Sequence, residues 1–326
     1  MICKKCVLPQ YGNDIRINAD GVCNICQDYE NDKPAKTLNP LLEFDLIKVL
    51  DKYRQKNKYD CLIMVSGGKD SVLSLYYMKK KYKMNPLALT FDHGFENDQA
   101  LGNIKNAVDI LGVDWAYYKT DFMKDVFRRV ITSGSKAPIC HVCAIWYTRF
   151  VQEQARRYRI PLIVAGWTKG QAKGERDKGD EYRAMSIATS DFIKENLRRD
   201  ARYKDFPLSM EEALSKARRK FKTRIISPHW YLKWDPAEIK EILEKELKWR
   251  APDQSYPLSS TNCLINFANV YLSMKNYGYT HYHIEMSKLI RVGELSREEA
   301  LEALKINFDL GFVNSVIGKI GCELKA

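Results

Sequence analysis

The chain has 326 residues, 45% of them hydrophobic and 29% charged, with a formal net charge of +12. That apolar share excludes disorder as the main state, and no 18-residue apolar run is present to span a membrane. The positive balance suits an anionic partner such as nucleic acid, a nucleotide or a nucleotide sugar, and a solvated basic surface accounts for it equally well.

Residues 1–35 read as a separate module rich in Cys, Asp, Asn and Gly. No apolar stretch follows Met1-Ile2-Cys3-Lys4, so no secretory leader is expected and the cytoplasm is the expected compartment. Thiols stay reduced there, so paired cysteines read as metal ligands before disulfides. Three C-x-x-C pairs occur, Cys3/Cys6, Cys23/Cys26 and Cys140/Cys143, while Cys61, Cys263 and Cys322 stand alone. The first two pairs, Cys3, Cys6, Cys23 and Cys26, have the spacing of a four-cysteine Zn²⁺ site. Such a site can fold a module too short to build its own core.

The rest of the chain alternates. Leu41, Leu42, Phe44, Leu46, Ile47 and Leu50 recur at helical spacing. A compact apolar strand, 59–65, ends in Ser66-Gly67-Gly68, and a helix follows with Val72, Leu73, Leu75 and Tyr76. A second strand is expected at 87–92, a helix at 97–112, a third strand at 115–120, a helix near 143–158, a fourth strand at 161–166 and a fifth near 225–228. Short apolar strands between helices mean a buried parallel sheet. The expectation is an α/β fold, a doubly wound parallel sheet over residues 36–235, followed by a helical region over 236–326. In the latter, Asp235-Pro236 and the capping box Ser296-x-x-Glu299 mark helix starts. Between Lys169 and Arg224 the chain carries 16 Lys/Arg against 10 Asp/Glu, including Arg198, Arg199, Arg202, Lys216, Arg218, Arg219 and Lys220. This stretch is either a solvated helical face or a surface for a phosphate-rich substrate.

Ser66-Gly67-Gly68-Lys69-Asp70-Ser71 sits between a strand and a helix N-terminus, where α/β proteins bind anions. Two glycines let backbone N–H groups turn around phosphate oxygens. Ser66 and Ser71 add hydroxyls, and Lys69 adds a cation. Asp70 suits Mg²⁺ or a helix cap better than bare phosphate. The loop is not a Walker A motif.

S-G-G-K-D-S resembles the PP-loop of the ATP pyrophosphatase superfamily, the adenine nucleotide alpha-hydrolases. The resemblance implies that ATP is cut between its α- and β-phosphates, so that a substrate carbonyl is adenylated and its oxygen is then displaced by nitrogen or sulfur. It also implies nucleotide contacts at Thr90, Phe91 and Asp92, and at Gly166 and Thr168. Trp167 departs from the Gly-His pattern common in thiolases.

Two branches share this chemistry. Cys3-x-x-Cys6-Val7-Leu8-Pro9, Asp20-Gly21-Val22-Cys23-Asn24-x-Cys26, the loop within Tyr59–Ser71, Cys140-x-x-Cys143, Ile160-Pro161-Leu162-Ile163 and the tail Ile290-Arg291-x-Gly293-x-Leu295-Ser296-Arg297-Glu298-Glu299-Ala300 resemble the N-acetyl sugar amidotransferase family. That resemblance implies conversion of an acetamido group on a nucleotide sugar to an acetamidino group, in lipopolysaccharide or other surface-polysaccharide biosynthesis. Ammonia would come from a separate glutaminase, consistent with the lack of a G-x-C-x-G elbow here. Cys140, Cys143 and Cys263 together also resemble the three-cysteine set of iron–sulfur tRNA thiolases, which implies a [4Fe–4S] cluster, sulfur transfer and tRNA as partner; a zinc completed by His141, or plain packing, stays open for them. The expected catalytic residues are thus Lys69, Asp70, Cys140, Cys143 and Cys263. The expected ATP ligands are Ser66, Gly67, Gly68, Lys69, Asp70 and Ser71 with the flanking positions above. His93, Glu96 and His229 are open between site and plain loop polarity. Assembly into a homo-oligomer is likewise open.

Overall fold

A computed structural model describes residues 1–31, 42–172, 179–218, 221–233, 235–257 and 263–325. The 35/36 module boundary, Arg219, Lys220 and Ser259-Ser260-Thr261-Asn262 lie outside these residues.

Five strands form one sheet: β1 (Cys61–Met64), β2 (Pro86–Asp92), β3 (Asp114–Lys119), β4 (Leu162–Val164) and β5 (Arg224–Ile226), in the order β3-β2-β1-β4-β5. Every pair is parallel. The chain winds outward from β1 to β3, then returns to the other side of β1 at β4. The order reverses between β1 and β4, and that reversal opens a crevice at the strand C-terminal ends. The central strands are buried throughout, as their continuous apolar runs require. The edge strand β3 is largely exposed.

The helices are α1 (Asn24–Asn31), α2 (Glu43–Asp51), α3 (Lys69–Tyr76), α4 (Asp98–Leu111), α5 (Phe122–Thr132), α6 (Ile139–Arg157), α7 (Asp180–Phe192), α8 (Met210–Arg218), α9 (Pro236–Glu241), α10 (Ile265–Tyr277), α11 (His281–Arg291), α12 (Arg297–Ala303) and α13 (Leu310–Ile317). Alternation along β1 sorts them into two layers. Cys61, Ile63 and Val65 face a core with α2, α3, α4 and α9. Leu62 and Met64 face the opposite core, with α5, α6, α10 and α13. The C-terminal helices therefore share a core with the sheet.

Helix α6 begins earlier than its periodicity indicated. Pro138 sits at its N-cap, so Cys140-His141-Val142-Cys143 forms the first turn rather than a preceding loop. The i, i+3 spacing then puts both thiols on one helix face. The expected caps are present: Asp235 accepts from Ala237 N and Glu238 N, and Ser296 Oγ accepts from Glu299 N.

In the N-terminal module, Cys3, Cys6, Cys23 and Cys26 are buried with Leu8 and Ile15 against Met185, Tyr277, Tyr279 and Ile284. Arg297 Nε donates to the carbonyls of Cys6 (3.1 Å) and Cys3 (3.3 Å), and Val7 N donates to Ser287 Oγ (3.3 Å). The two chain ends are thus joined. The basic stretch is partly neutralised from within. Arg198 reaches both oxygens of Glu212 at 2.9 Å, and Arg202 reaches Asp200 Oδ2 at 2.7 Å. No helix among the described residues is long and apolar enough to cross a membrane.

Candidate active site

The loop Ser66–Ser71 joins β1 to α3 at the crevice. Gly67 has φ +81°, and a Cβ there would lie 2.2 Å from the Ala100 carbonyl oxygen. Glycine is required by conformation and by space. The loop closes on itself: Ser66 N donates to Ser71 Oγ (3.1 Å), Ser66 Oγ lies 3.2 Å from Ser71 Oγ, and Ser71 Oγ donates to Gly68 O (2.9 Å). Trp249 Nε1 donates to Gly67 O at 2.9 Å, pinning the turn from outside. Gly166, just past β4, packs so closely that a Cβ would lie 2.6 Å from Ser71 Cα. Gly67 thus lets the loop pack against α4, and Gly166 lets the end of β4 pack against the first turn of α3.

The loop forms one wall of a cavity of about 480 Å³. Ser66, Gly68, Lys69, Asp70 and Ser71 line it, together with Gly166, Trp167, Thr168, Tyr147 from α6 and Glu285 from α11. Lys69 Nζ lies 3.3 Å from Asp70 Oδ2, whereas Asp70 Oδ1 is buried without a hydrogen-bond partner among the described residues. An orphaned hard oxygen at an anion-binding loop fits Mg²⁺, which takes one or two carboxylates and completes its shell with water and phosphate. His229 Nε2 lies 2.9 Å from Asp70 O and 3.1 Å from Ser74 Oγ. Burial lowers its pKa, so the neutral ring holds the first turn of α3. Thr168 Oγ1 donates to Glu285 Oε1 at 2.7 Å. Burial raises the Glu285 pKa, and the nearby Asp70 charge adds to the rise.

Of the expected nucleotide contacts, Gly166 and Thr168 reach the cavity. Thr90, Phe91 and Asp92 lie at the end of β2 with their side chains engaged elsewhere. Thr90 Oγ1 donates to Val65 O and accepts from Trp115 Nε1, Phe91 stacks among Tyr118, Tyr147 and Phe150, and Asp92 accepts from Tyr117 OH and Gly94 N. Glu285, Trp249 and Tyr147 carry no sequence signal that places them here. They come from later helices and a loop, and no local pattern marks them.

The four N-terminal thiols lie within 4.8 Å of one another. Cys6 Sγ and Cys23 Sγ are 3.8 Å apart. A tetrahedral zinc with Zn–S near 2.3 Å has S···S edges of about 3.8 Å, so the donor set fits this ion. Thiol hydrogen bonding from Cys23 lowers Cys3, brings Cys6 to about 7 and raises Cys26, as expected where only some of four adjacent thiols can ionise without a cation.

A second, half-buried group lies within electrostatic reach of Tyr147. Cys263 is within electrostatic reach of Glu96, Cys140 and Cys143, although 120 residues of sequence separate it from Cys143. An antiparallel bridge pairs Glu96 with Cys263, and Leu264 N donates to Phe95 O at 2.8 Å. Burial pushes Cys140 up to about 12, raises Cys143 and raises Cys263 well above the usual thiol value. Burial also brings Glu96 up to about 8 and holds His93 down to about 4. Tyr147 lines the cavity, feels the charges of Glu96 and Cys143, and stands one helical turn beyond Cys143. None of the five groups lines the cavity itself.

Residues 60–144 match the family model of Queuosine biosynthesis protein QueC. The match spans β1, the loop, β2 and the Cys140/Cys143 turn, and it supports an ATP-using enzyme of the PP-loop pyrophosphatase superfamily. An uncharacterised protein of Methanocaldococcus jannaschii is 26% identical over 252 residues, 77% of this chain and 74% of that protein. Among solved structures, the U34-tRNA thiolase NcsA from Methanococcus maripaludis with its [4Fe-4S] cluster has TM-score 0.38 and 18% identity, over 95% of this chain and 92% of that one. The NH3-dependent NAD synthetase from Campylobacter jejuni has TM-score 0.39 and 13% identity, over 85% and 90%. NMN synthetase from Francisella tularensis has TM-score 0.40 and 13% identity, over 92% and 98%. At these scores the structural likenesses carry no argument about activity.

Proposed function

We propose that the chain is an ATP-dependent, AMP-forming amidotransferase acting on the N-acetyl group of a nucleotide sugar. The observation that carries the ATP chemistry is the intact Ser66–Ser71 loop, folded at the crevice with Asp70 Oδ1 buried and unpartnered. The acceptor rests on the resemblance of the two chain ends, which Arg297 joins through the carbonyls of Cys3 and Cys6.

In this mechanism the loop amides and the hydroxyls of Ser66 and Ser71 hold the β- and γ-phosphates at the N-terminus of α3. The acceptor carbonyl oxygen attacks the α-phosphorus, and the bond to the β-phosphate oxygen breaks to release pyrophosphate. Lys69 neutralises charge on the departing group. Asp70 would hold Mg²⁺, which supplies charge stabilisation on the phosphates. Ammonia then adds to the adenylated carbon, AMP leaves with the former carbonyl oxygen, and an amidine remains. Water must be kept from the same carbon. Trp167, Tyr147 and Met286 supply the apolar lining that does so.

The test offers ATP, Mg²⁺, a nucleotide N-acetyl sugar and ammonia. AMP, pyrophosphate and an amidino sugar are expected, and Lys69→Ala should lose them by about 10²-fold or more while staying folded. ADP as the sole product would overturn the assignment.

A second reading, sulfur transfer to tRNA, is favoured by the convergence of Cys140, Cys143 and Cys263. Three half-buried thiols suit a [4Fe–4S] cluster, which would supply an open iron for sulfide. Thiolated tRNA formed from sulfide and ATP, without any sugar product, would replace the first reading by this one.

A further inference from the structure

We infer that His93, Glu96 and Cys263 form a second zinc site, separate from the four-thiol module. It rests on geometry, and it competes with the cluster of the sulfur-transfer reading for the Cys263 thiolate.

The three ligand atoms lie within 4.8 Å of one another. His93 Nε2 is 3.4 Å from Glu96 Oε1 and 3.5 Å from Cys263 Sγ. The first distance is longer than the roughly 2.7–3.2 Å expected of an imidazole donating to a carboxylate. Both distances match the edges of a tetrahedron around zinc. With Zn–N and Zn–O near 2.0–2.1 Å and Zn–S near 2.3 Å, an N···O edge is about 3.4 Å and an N···S edge about 3.5–3.6 Å. The same construction reproduces the 3.8 Å S···S edge of the N-terminal module.

The surroundings point the same way. The His93 and Glu96 side chains are 6% and 10% exposed. His93 Nδ1 is buried without a hydrogen-bond partner among the described residues, so this imidazole is poorly served by protein contacts alone. With Nδ1 held inside the core, the ring presents Nε2 to Glu96 and Cys263. Phe127, Phe95 and Phe91 pack around the ring at centroid distances of 5.2, 6.2 and 6.2 Å. The Glu96–Cys263 backbone bridge fixes the other two donors against each other. One nitrogen, one oxygen and one sulfur suit borderline zinc better than Mg²⁺ or Ca²⁺. Three protein ligands leave a fourth position for water, the open pattern of reactive rather than structural zinc. Cys140 and Cys143 then remain thiols beside the site.

The experiment measures metal in the full-length protein after growth with added zinc, then repeats it with Co²⁺ and records the thiolate-to-cobalt absorption. Two ions per chain are expected, one at each group of ligands. Glu96→Gln and His93→Gln should each lose one ion and keep the four-thiolate cobalt band, which also reports that the fold survives. Cys6→Ser should lose the other ion. Cys140→Ser should keep both. Two retained ions in both Glu96→Gln and His93→Gln would overturn the site. Iron with acid-labile sulfide that Cys140→Ser removes would also overturn it, by assigning Cys263 to a cluster.

Discussion

The N-terminal thiols and the His93–Glu96–Cys263 group have similar geometry and opposite origins. Cys3, Cys6, Cys23 and Cys26 lie within 24 residues and are brought together by two short turns. His93, Glu96 and Cys263 meet only because the chain after α9 returns to pair with the end of β2. The first group can organise the module around it. The second depends on the assembled sheet. A metal should therefore fold the first region, whereas the fold should build the second before any metal arrives.

Cys23→Ser should break this comparison most visibly. Structural zinc in small modules contributes on the order of 10 kcal/mol or more. Residues 1–31 should become protease-sensitive and the Arg297 bonds to Cys3 and Cys6 should be lost, while the sheet keeps its melting transition. Proteolysis read by mass spectrometry checks it, and a variant that unfolds throughout would show that the module is not separable. Gly67→Ala should come next. The left-handed φ alone costs about 1–3 kcal/mol for a non-glycine residue, and the Ala100 carbonyl must also move. ATP binding should be abolished in calorimetry with only a modest drop in melting temperature, as befits a contiguous motif on a preformed crevice.

The same division explains what was legible in the sequence. Continuous apolar strands, Ser66-Gly67-Gly68 and the C-x-x-C spacing are local, so the parallel sheet, the loop and the four-thiol set could be read directly. The helical placement of Cys140 and Cys143 was not readable, because the apolar pattern of α6 strengthens only after them and Pro138 sets the true start. His93 and Glu96 were visible only as ambiguous loop polarity. Spacing groups their partner Cys263 with the other cysteines, because it pairs like with like and cannot see a mixed donor set. Trp249 and Glu285 carry no motif, and their roles exist only once tertiary packing places them at the loop.

Trp249→Phe sharpens the comparison on the assembled side. It removes the donor to Gly67 O and leaves Asn103 Nδ2, at 3.4 Å, as the remaining contact. Leaving a buried carbonyl short of its donor costs about 1–3 kcal/mol. The KM for ATP should rise by several-fold to about a hundredfold with kcat less affected, because the loop is loosened without loss of a group that contacts the reacting atoms. An unchanged KM would show that the loop holds its shape by its own serine bonds.

Glu285→Gln gives the smallest effect and a signed pH dependence. Burial raises the Glu285 pKa, with Asp70 adding to it. A carboxyl whose pKa is raised on folding binds its proton more tightly in the folded state, so its contribution is fully present below the unfolded carboxyl value. That contribution is lost as the pH rises through the folded value. Glutamine keeps an acceptor for Thr168 Oγ1 and removes the charge. The variant should therefore melt a few degrees higher than wild type at neutral pH, and the difference should shrink toward zero as the pH falls below the ordinary carboxyl range. Melting curves over a pH series in the absence of ATP measure it. A variant that melts lower than wild type at neutral pH, with the deficit vanishing on acidification, would mean that Glu285 is stabilised as the anion, placing it with Asp70 as a partner of Mg²⁺ rather than as a neutral wall of the cavity.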